Sequence, residues 1–340
     1  MAGRSTVYNN ITTLDKMSEI NRKNVDLMND FLDYLVSINR SQGTIYQYKS
    51  DLQIFFCWNI DENNNKYFVD LTKREVAKFQ KYAMTEWKWS TNRLARVKST
   101  LSSLSNYIDN MMDDEIENYR PIIRRVETPI KQPVRDKTII TDDEVNMILD
   151  KLVVDKKYQC ACAFALAAFS GARKSELLRF KVSYFDDSNI METAALYKTP
   201  ETIKTKGRGS QGKALNKYTL LDFKKYFDLW MNERKSKGID NDFLFVRPNG
   251  ETMTISGMDS YARTISMYLG RPFYFHALRH QLCSRLFRLN IPSDIIQEYF
   301  GWSSGEMCII YNDNEASDSF GNFFTQEGIK GAERKSLSDI

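Results

Sequence analysis

His276 and His280 are the only histidines among 340 residues. They stand four apart on either side of Arg279 in "FHALRH", residues 275–280. On a helix that spacing puts both imidazoles on one face. Zinc binding is one chemistry that uses such a pair. No HExxH occurs, the nearby acids do not complete a three-ligand set, and an arginine between two ligands would repel the ion, so no metal is expected. Proton transfer beside an anion is the other chemistry. Histidine moves protons near neutral pH, and guanidinium forks match the geometry of two phosphate oxygens.

Three more clusters bear on that second reading. In "SGARKSELLRF", Arg173 follows Gly171 at a helix start, and Glu176 lies one turn on. Lys204 and Lys206 sit in a glycine-bearing basic turn, "KTKGRGSQGKALNKY". "FGWSSGEMCIIY" contains Trp302 and ends at Tyr311. Taken singly, each has an ordinary explanation: a surface charge, a solvated turn, a packed indole, a half-buried tyrosine. Taken together they describe a site for phosphoryl chemistry. Two arginines hold the non-bridging oxygens, a histidine moves the proton, and a tyrosine attacks phosphorus and keeps it covalently. A lysine on a turn protonates the leaving alkoxide. No nucleotide cofactor is needed, because the covalent bond conserves the phosphodiester energy.

Helices must position most of these groups. "NVDLMNDFLDYLVSI" places Val25, Leu27, Met28, Phe31, Leu32 and Leu35 at helical spacing. "TIYQYKSDLQIFFCW" predicts a second helix, "TKREVAKFQKYAM" a third capped by Thr72, and "STNRLARVKSTLSSLSNYIDNM" a fourth capped by Ser90 or Thr91. Residues 120–138 hold three of the chain's seven prolines and six bases against two acids, which predicts an extended basic linker. Thr141 and Glu144 then form a capping box. "CACAFALAAFS" predicts a buried helix ending at Gly171. Helical periodicity lapses over 182–219, where two strands flank the basic turn, and returns over 219–237 and from 253. The organisation expected is a polar segment 1–23, helical domain 24–119, linker 120–138, mixed domain 139–317 and tail 318–340, with the boundary near residue 130.

The pattern resembles the tyrosine recombinases, or phage-type integrases, among them the Cre- and Xer-like proteins. Their signature is an arginine in a GxRxxE helix start, a β-hairpin lysine, an HxxR pair, a histidine or tryptophan, and a nucleophilic tyrosine. Here it reads "GARKSE" at 171–176, "HALR" at 276–279, Trp302 in "GWSS", and Tyr311 nine residues later. The resemblance implies a mostly helical protein with a small β-sheet: an N-terminal helical core-binding (SAM-like) domain followed by an α+β catalytic domain. It implies strand cleavage and rejoining through a 3′-phosphotyrosine and a Holliday junction, without cofactor. Arg173 and Arg279 would clamp the scissile phosphate, and His276 would serve as general acid/base. Trp302 would donate its indole N–H, Glu176 would support the arginine, and His280 would pack and orient. Lys206, just before a glycine, matches the hairpin lysine, with Lys204 as its rival.

DNA contacts are expected elsewhere as well. Arg93, Arg96 and Lys98 lie along one helix edge with Thr91 at its start, an arrangement suited to a major groove or simply to a solvated face. Thr44, Tyr46 and Lys49 form a second patch, and Arg124 and Arg125 of the linker would follow the DNA backbone. Net charge is +4; the residues after Tyr311 carry six acids and three bases, leaving +7 on residues 1–311, which suits a polyanion. In that tail, Phe320, Phe323 and Phe324 on a short helix would dock on a neighbouring protomer of a homotetramer or fold back in cis. Inverted-repeat double-stranded DNA is the expected partner. The start lacks an apolar secretion core, no apolar run is long enough for a membrane, and five cysteines form no CxxC pair, so a cytoplasmic protein with reduced thiols is expected. The alternative is a catalytically silent DNA-binding protein of the same fold.

Overall fold

The computed structural model describes residues 11–130, 138–205 and 213–312, and the backbone of 324–325 and 328–329. Lys206, Phe320 and Phe323 lie outside the described residues. Contacts divide the chain into two compact units that change over between Asp136 and Lys137.

The first unit is helical: α1 (Leu14–Glu19), α2 (Arg22–Ser37), α3 (Gln42–Glu62), α4 (Lys73–Thr85) and α5 (Thr91–Met111). The caps are local. Ser41 accepts from the Thr44 N–H, Ser90 from the Arg93 N–H, and Thr72 forms a reciprocal box with Glu75. Apolar residues at helical spacing converge on one core containing Phe31, Phe55, Phe79, Leu94 and Leu101. The Phe79 ring meets Phe55 and Trp58 edge-on at 5.0 Å.

Part of the expected linker belongs to this core. Ile123 is fully buried in it, and Ile123–Arg125 form a 3₁₀ turn. The proline signal around Pro121 was therefore a signal for a turn; the apolar "PII" segment had surface to bury.

In the second unit, α6 (Asp142–Val154) starts at the Thr141–Glu144 box. In α7 (Tyr158–Ser170), every residue from Cys160 to Ser170 is buried. A helix apolar on all sides has to be surrounded, and α7 packs against α6, α9 (Lys224–Ser236) and α11 (His276–Arg288). The short α8 (Lys174–Leu177) follows Gly171 and Arg173.

Residues 196–220 hold four short strands where two were expected. Antiparallel β2 (Ile203–Thr205) and β3 (Lys213–Leu215) flank the basic turn, and β1 (Leu196–Lys198) pairs with β4 (Tyr218–Leu220). After α10 (Ile255–Leu269), the chain closes with α11, α12 (Ser293–Phe300) and α13 (Glu306–Tyr311). The last three share a core of Leu282, Ile296, Phe300 and Tyr311.

The tail departs from expectation at Phe324. Its backbone pairs with Ile329 in a two-residue antiparallel ladder, β5 (Phe324–Thr325) with β6 (Gly328–Ile329), so Phe324 is not helical. Phenylalanine is a good strand former, and helical spacing of three rings is a weak signal against local pairing. All five cysteines are buried and free. No described helix is long and apolar enough to cross a membrane.

Gly171 ends α7 at φ +60°, and a Cβ there would sit 2.2 Å from Phe300 Cε1. Left-handed backbone costs an L-residue about 1–2 kcal/mol, and the overlap adds about 1–3 kcal/mol. Gly171→Ala is expected to destabilise the second unit by about 2–5 kcal/mol, read from the denaturant midpoint; a midpoint at the wild-type value would show that Phe300 yields freely.

Candidate active site

Four helix ends of the second unit bring the chemistry together. Arg173 stands at the N-terminus of α8, where its backbone N–H donates to Glu176 Oε2 at 3.0 Å and its Nη1 donates to Oε1 at 2.8 Å. The Glu176 side chain is fully buried. Its second oxygen also meets Lys217 Nζ at 3.1 Å, and that lysine is buried too. Burial alone would raise the Glu176 pKa. The Lys217 charge, with the N–H and guanidinium of Arg173, outweighs it and holds the carboxyl below its usual value.

Arg279 lies in α11, one turn after His276, and is 1% exposed. Its Nη1 donates to the Gly171 carbonyl at 2.7 Å and its Nη2 to the Phe300 carbonyl at 3.3 Å. The guanidinium carbon lies 4.7, 5.1 and 5.3 Å from the ring centres of Phe300, Trp302 and Tyr311. Burial, then Arg173, lowers its pKa to about 10, so it stays charged at neutral pH. Its Nε has no partner among the described residues.

Tyr311, the last residue of α13, places its hydroxyl 3.0 Å from His276 Nε2. Its ring stacks on Trp302 at 5.0 Å and lies 4.6 Å from His280. The Trp302 indole N–H is buried and, like Arg279 Nε, unpaired among the described residues. Unpaired buried donors are costly, and an arriving anion relieves them. His276 is pushed down to about 4, first by burial and then by His280, Arg279 and Arg173, so its imidazole is neutral at pH 7. Around Glu176, three cations (Arg173, Lys217, Arg279) face one carboxylate, leaving a positive excess suited to a phosphodiester.

Arg173, Glu176, His276, His280, Arg279, Trp302 and Tyr311 thus meet at one place, as their order in the chain suggested. Lys204 lies within β2 with an exposed side chain, and its carbonyl accepts from Arg179 at 2.6 Å. Lys217 was missed. In "NKYTLL" it looks like any lysine beside a strand, and only its burial next to Glu176 distinguishes it.

The surface residues expected on DNA belong to the first unit. Lys49, Arg96, Arg124 and Arg125 are exposed; Thr44, Thr91 and Arg93 are half-buried. Thr44 shares a hydrogen bond with Ser41 at 2.8 Å, and Arg93 lies over the Trp89 ring at 4.1 Å. Arg96 is braced by the buried carboxylate of Asp51 at 2.9 Å. Lys98 has to be corrected: it is buried and donates to the Val126 carbonyl, so it does not face a groove. The signal was in the helix period. Lys98 falls four residues after Leu94 and three before Leu101, on the core face.

The chain is 26% identical over 289 residues to the SPbeta prophage-derived recombinase-like protein YomM of Bacillus subtilis (strain 168), covering 83% of this chain and 84% of that one. The crystal structure of the XerH site-specific recombinase bound to palindromic difH substrate superposes with a TM-score of 0.63 at 19% identity, covering 82% of this chain and 78% of that one. A lambda integrase dimer bound to a COC′ core site superposes with a TM-score of 0.62 at 18% identity, covering 86% and 95%. The profile of the phage integrase family matches residues 138–318, the stretch that carries every residue of the site just described, and the chain belongs to that family.

Proposed function

We propose that this protein is a site-specific DNA recombinase that cuts and rejoins strands through Tyr311. One observation carries the reading: the Tyr311 hydroxyl lies 3.0 Å from a neutral imidazole, beside a buried guanidinium with a donor to spare. A silent DNA-binding protein has no use for a nucleophile and base so arranged.

The reaction follows from the groups present. A phosphodiester entering between Arg173 and Arg279 finds donors for its non-bridging oxygens, and the Trp302 N–H supplies another. His276 Nε2 accepts the phenolic proton as Tyr311 Oη bonds to phosphorus. The P–O5′ bond breaks, leaving a 3′-phosphotyrosine and a free 5′ hydroxyl. Lys206 is proposed to give that oxygen its proton. The clamped oxygens carry most charge in the pentavalent transition state, where fixed donors act best. Attack by a 5′ hydroxyl of the partner strand reverses the sequence and yields the rejoined strand. Bonds of equal energy are exchanged, so the scheme requires no nucleotide.

The wider assembly is also proposed. The partner is double-stranded DNA with inverted-repeat sites, gripped in part by Arg93, Arg96, Lys49, Thr44, Thr91, Arg124 and Arg125. Four copies act on two paired sites, and the tail from residue 318 docks on a neighbour. A cytoplasmic setting fits the absence of a membrane-crossing helix among the described residues.

Tyr311→Phe is expected to abolish the covalent complex on a nicked suicide substrate while half-site binding persists. Arg173→Ala should cleave at least about a hundredfold more slowly, since one transition-state donor is worth roughly 3–4 kcal/mol. Wild-type trapping by either variant would remove that residue from the mechanism.

His276 also predicts a pH effect on stability. Its folded pKa of about 4 lies below the ordinary 6.5, so between those values the unfolded chain binds the proton more readily. Its contribution is complete above pH 6.5 and is lost as pH falls toward 4. His276→Gln should shrink the loss of denaturant midpoint between pH 7.5 and pH 5; an unchanged loss would place the titration elsewhere.

Deleting residues 318–340 should leave half-site binding intact and weaken cooperative binding to a full site. Each buried phenylalanine is worth about 1.5–3 kcal/mol. A drop in melting temperature together with half-site affinity would instead place the tail on its own protomer.

A further inference from the structure

Lys217 has no part in the scheme above, yet among the described residues it is the most enclosed lysine near the site. Its side chain is 3% exposed and its Nζ lies 3.1 Å from Glu176 Oε2. Its backbone is fixed on both sides: the N–H donates to Thr199 Oγ1 at 3.0 Å, and the carbonyl accepts from the Thr199 N–H at 2.9 Å. The Asn216 side chain adds a bond to the Thr199 carbonyl at 2.6 Å. Lys217 is thus a rigid post at the start of β4, two residues beyond β3.

We propose that Lys217 is a positioning residue for the cleavage reaction: it neutralises Glu176 so that the charge of Arg173 remains available to the scissile phosphate. The inference rests on the recombinase reading. Glu176 holds Arg173 in place, but a lone buried carboxylate would also cancel the charge it orients. With Lys217 absent, Glu176 and Arg173 would sum to zero and Arg279 would face the phosphate alone. With Lys217 present, the carboxylate is shared by two cations, and Arg173 is both held and left with an effective charge. Lys217 Nζ is engaged by Glu176 Oε2 at 3.1 Å, so the lysine acts through that carboxylate. It also ties the start of β4 to the helix that presents Arg173.

A pH signature follows. The charged groups around Glu176 are Arg173 and Lys217 in contact, with Arg279 and His276 beyond them. Burial alone would raise the carboxyl, and Lys217 is the strongest influence that opposes it. Removing the lysine lets Glu176 take a proton at higher pH and release the Arg173 guanidinium.

The test compares Lys217→Met, Lys217→Arg, Glu176→Gln and the Glu176→Gln/Lys217→Met pair in the full chain. A nicked suicide substrate reports cleavage against pH, gel shifts report half-site affinity, and melting reports folding. Lys217→Met should slow cleavage at pH 7 at least about tenfold, with affinity within about twofold of wild type. Its acid limb should move to higher pH, and arginine should restore most of the rate. The pair should cleave no more slowly than Glu176→Gln alone, because the lysine acts through that carboxylate. Wild-type cleavage by Lys217→Met, an acid limb that does not move, or losses that multiply in the pair would overturn the proposal. If Lys217→Met does not fold, the arginine variant and the pair decide by the same criteria. Absence of cleavage by the wild-type chain would instead defeat the recombinase reading, and this inference with it.

Discussion

The site depends on one guanidinium taken out of water. Arg279 is 1% exposed and is held by two carbonyls, those of Gly171 and Phe300. Both belong to helix C-termini, where carbonyls lack intrahelical partners and carry partial negative charge. Each helix ends at a glycine with left-handed backbone, Gly171 at φ +60° and Gly301 at φ +67°. A buried cation thereby meets acceptors that needed donors, and three distant parts of the chain are fixed together. Arg173 is two residues beyond one carbonyl and Trp302 two beyond the other, so the cation that holds the fold also sets the spacing of the site.

A second charged group sits behind the first. Glu176 is fully buried yet ionised, because Arg173 and Lys217 approach it together. Cations outnumber the acid, and that imbalance suits a pocket for phosphate. Buried charge is expensive unless matched, so the unmatched positive charge favours an anion at this place. His276 stays neutral chiefly because it is buried, with His280, Arg279 and Arg173 adding to the effect.

The helical unit uses buried ionisable residues in two ways. In the helical unit, Asp51 is buried to brace Arg96, and Lys98 is buried to satisfy the Val126 carbonyl. One holds an arginine at the surface; the other closes the chain where it leaves the helices. Similar sequence chemistry thus serves presentation in one case and packing in the other. The difference is position relative to the apolar stripe.

Much of this was legible in the sequence, because local rules and covalent order carry it. Capping pairs, helical periods and the uniformly apolar α7 specify the elements from nearby residues alone. The order Arg173, Glu176, His276, Arg279, Trp302, Tyr311 together with residue chemistry pointed to phosphoryl transfer. What the tertiary structure decided concerns groups whose role comes from burial. Lys217 is 41 residues from Glu176 in the chain, and no local pattern distinguishes it from a solvated lysine. Lys98 read as a groove contact until packing placed it inside, and Ile123 read as linker until its side chain was buried. A charge is worth little in water and much in the interior, and only the folded chain determines which medium surrounds it.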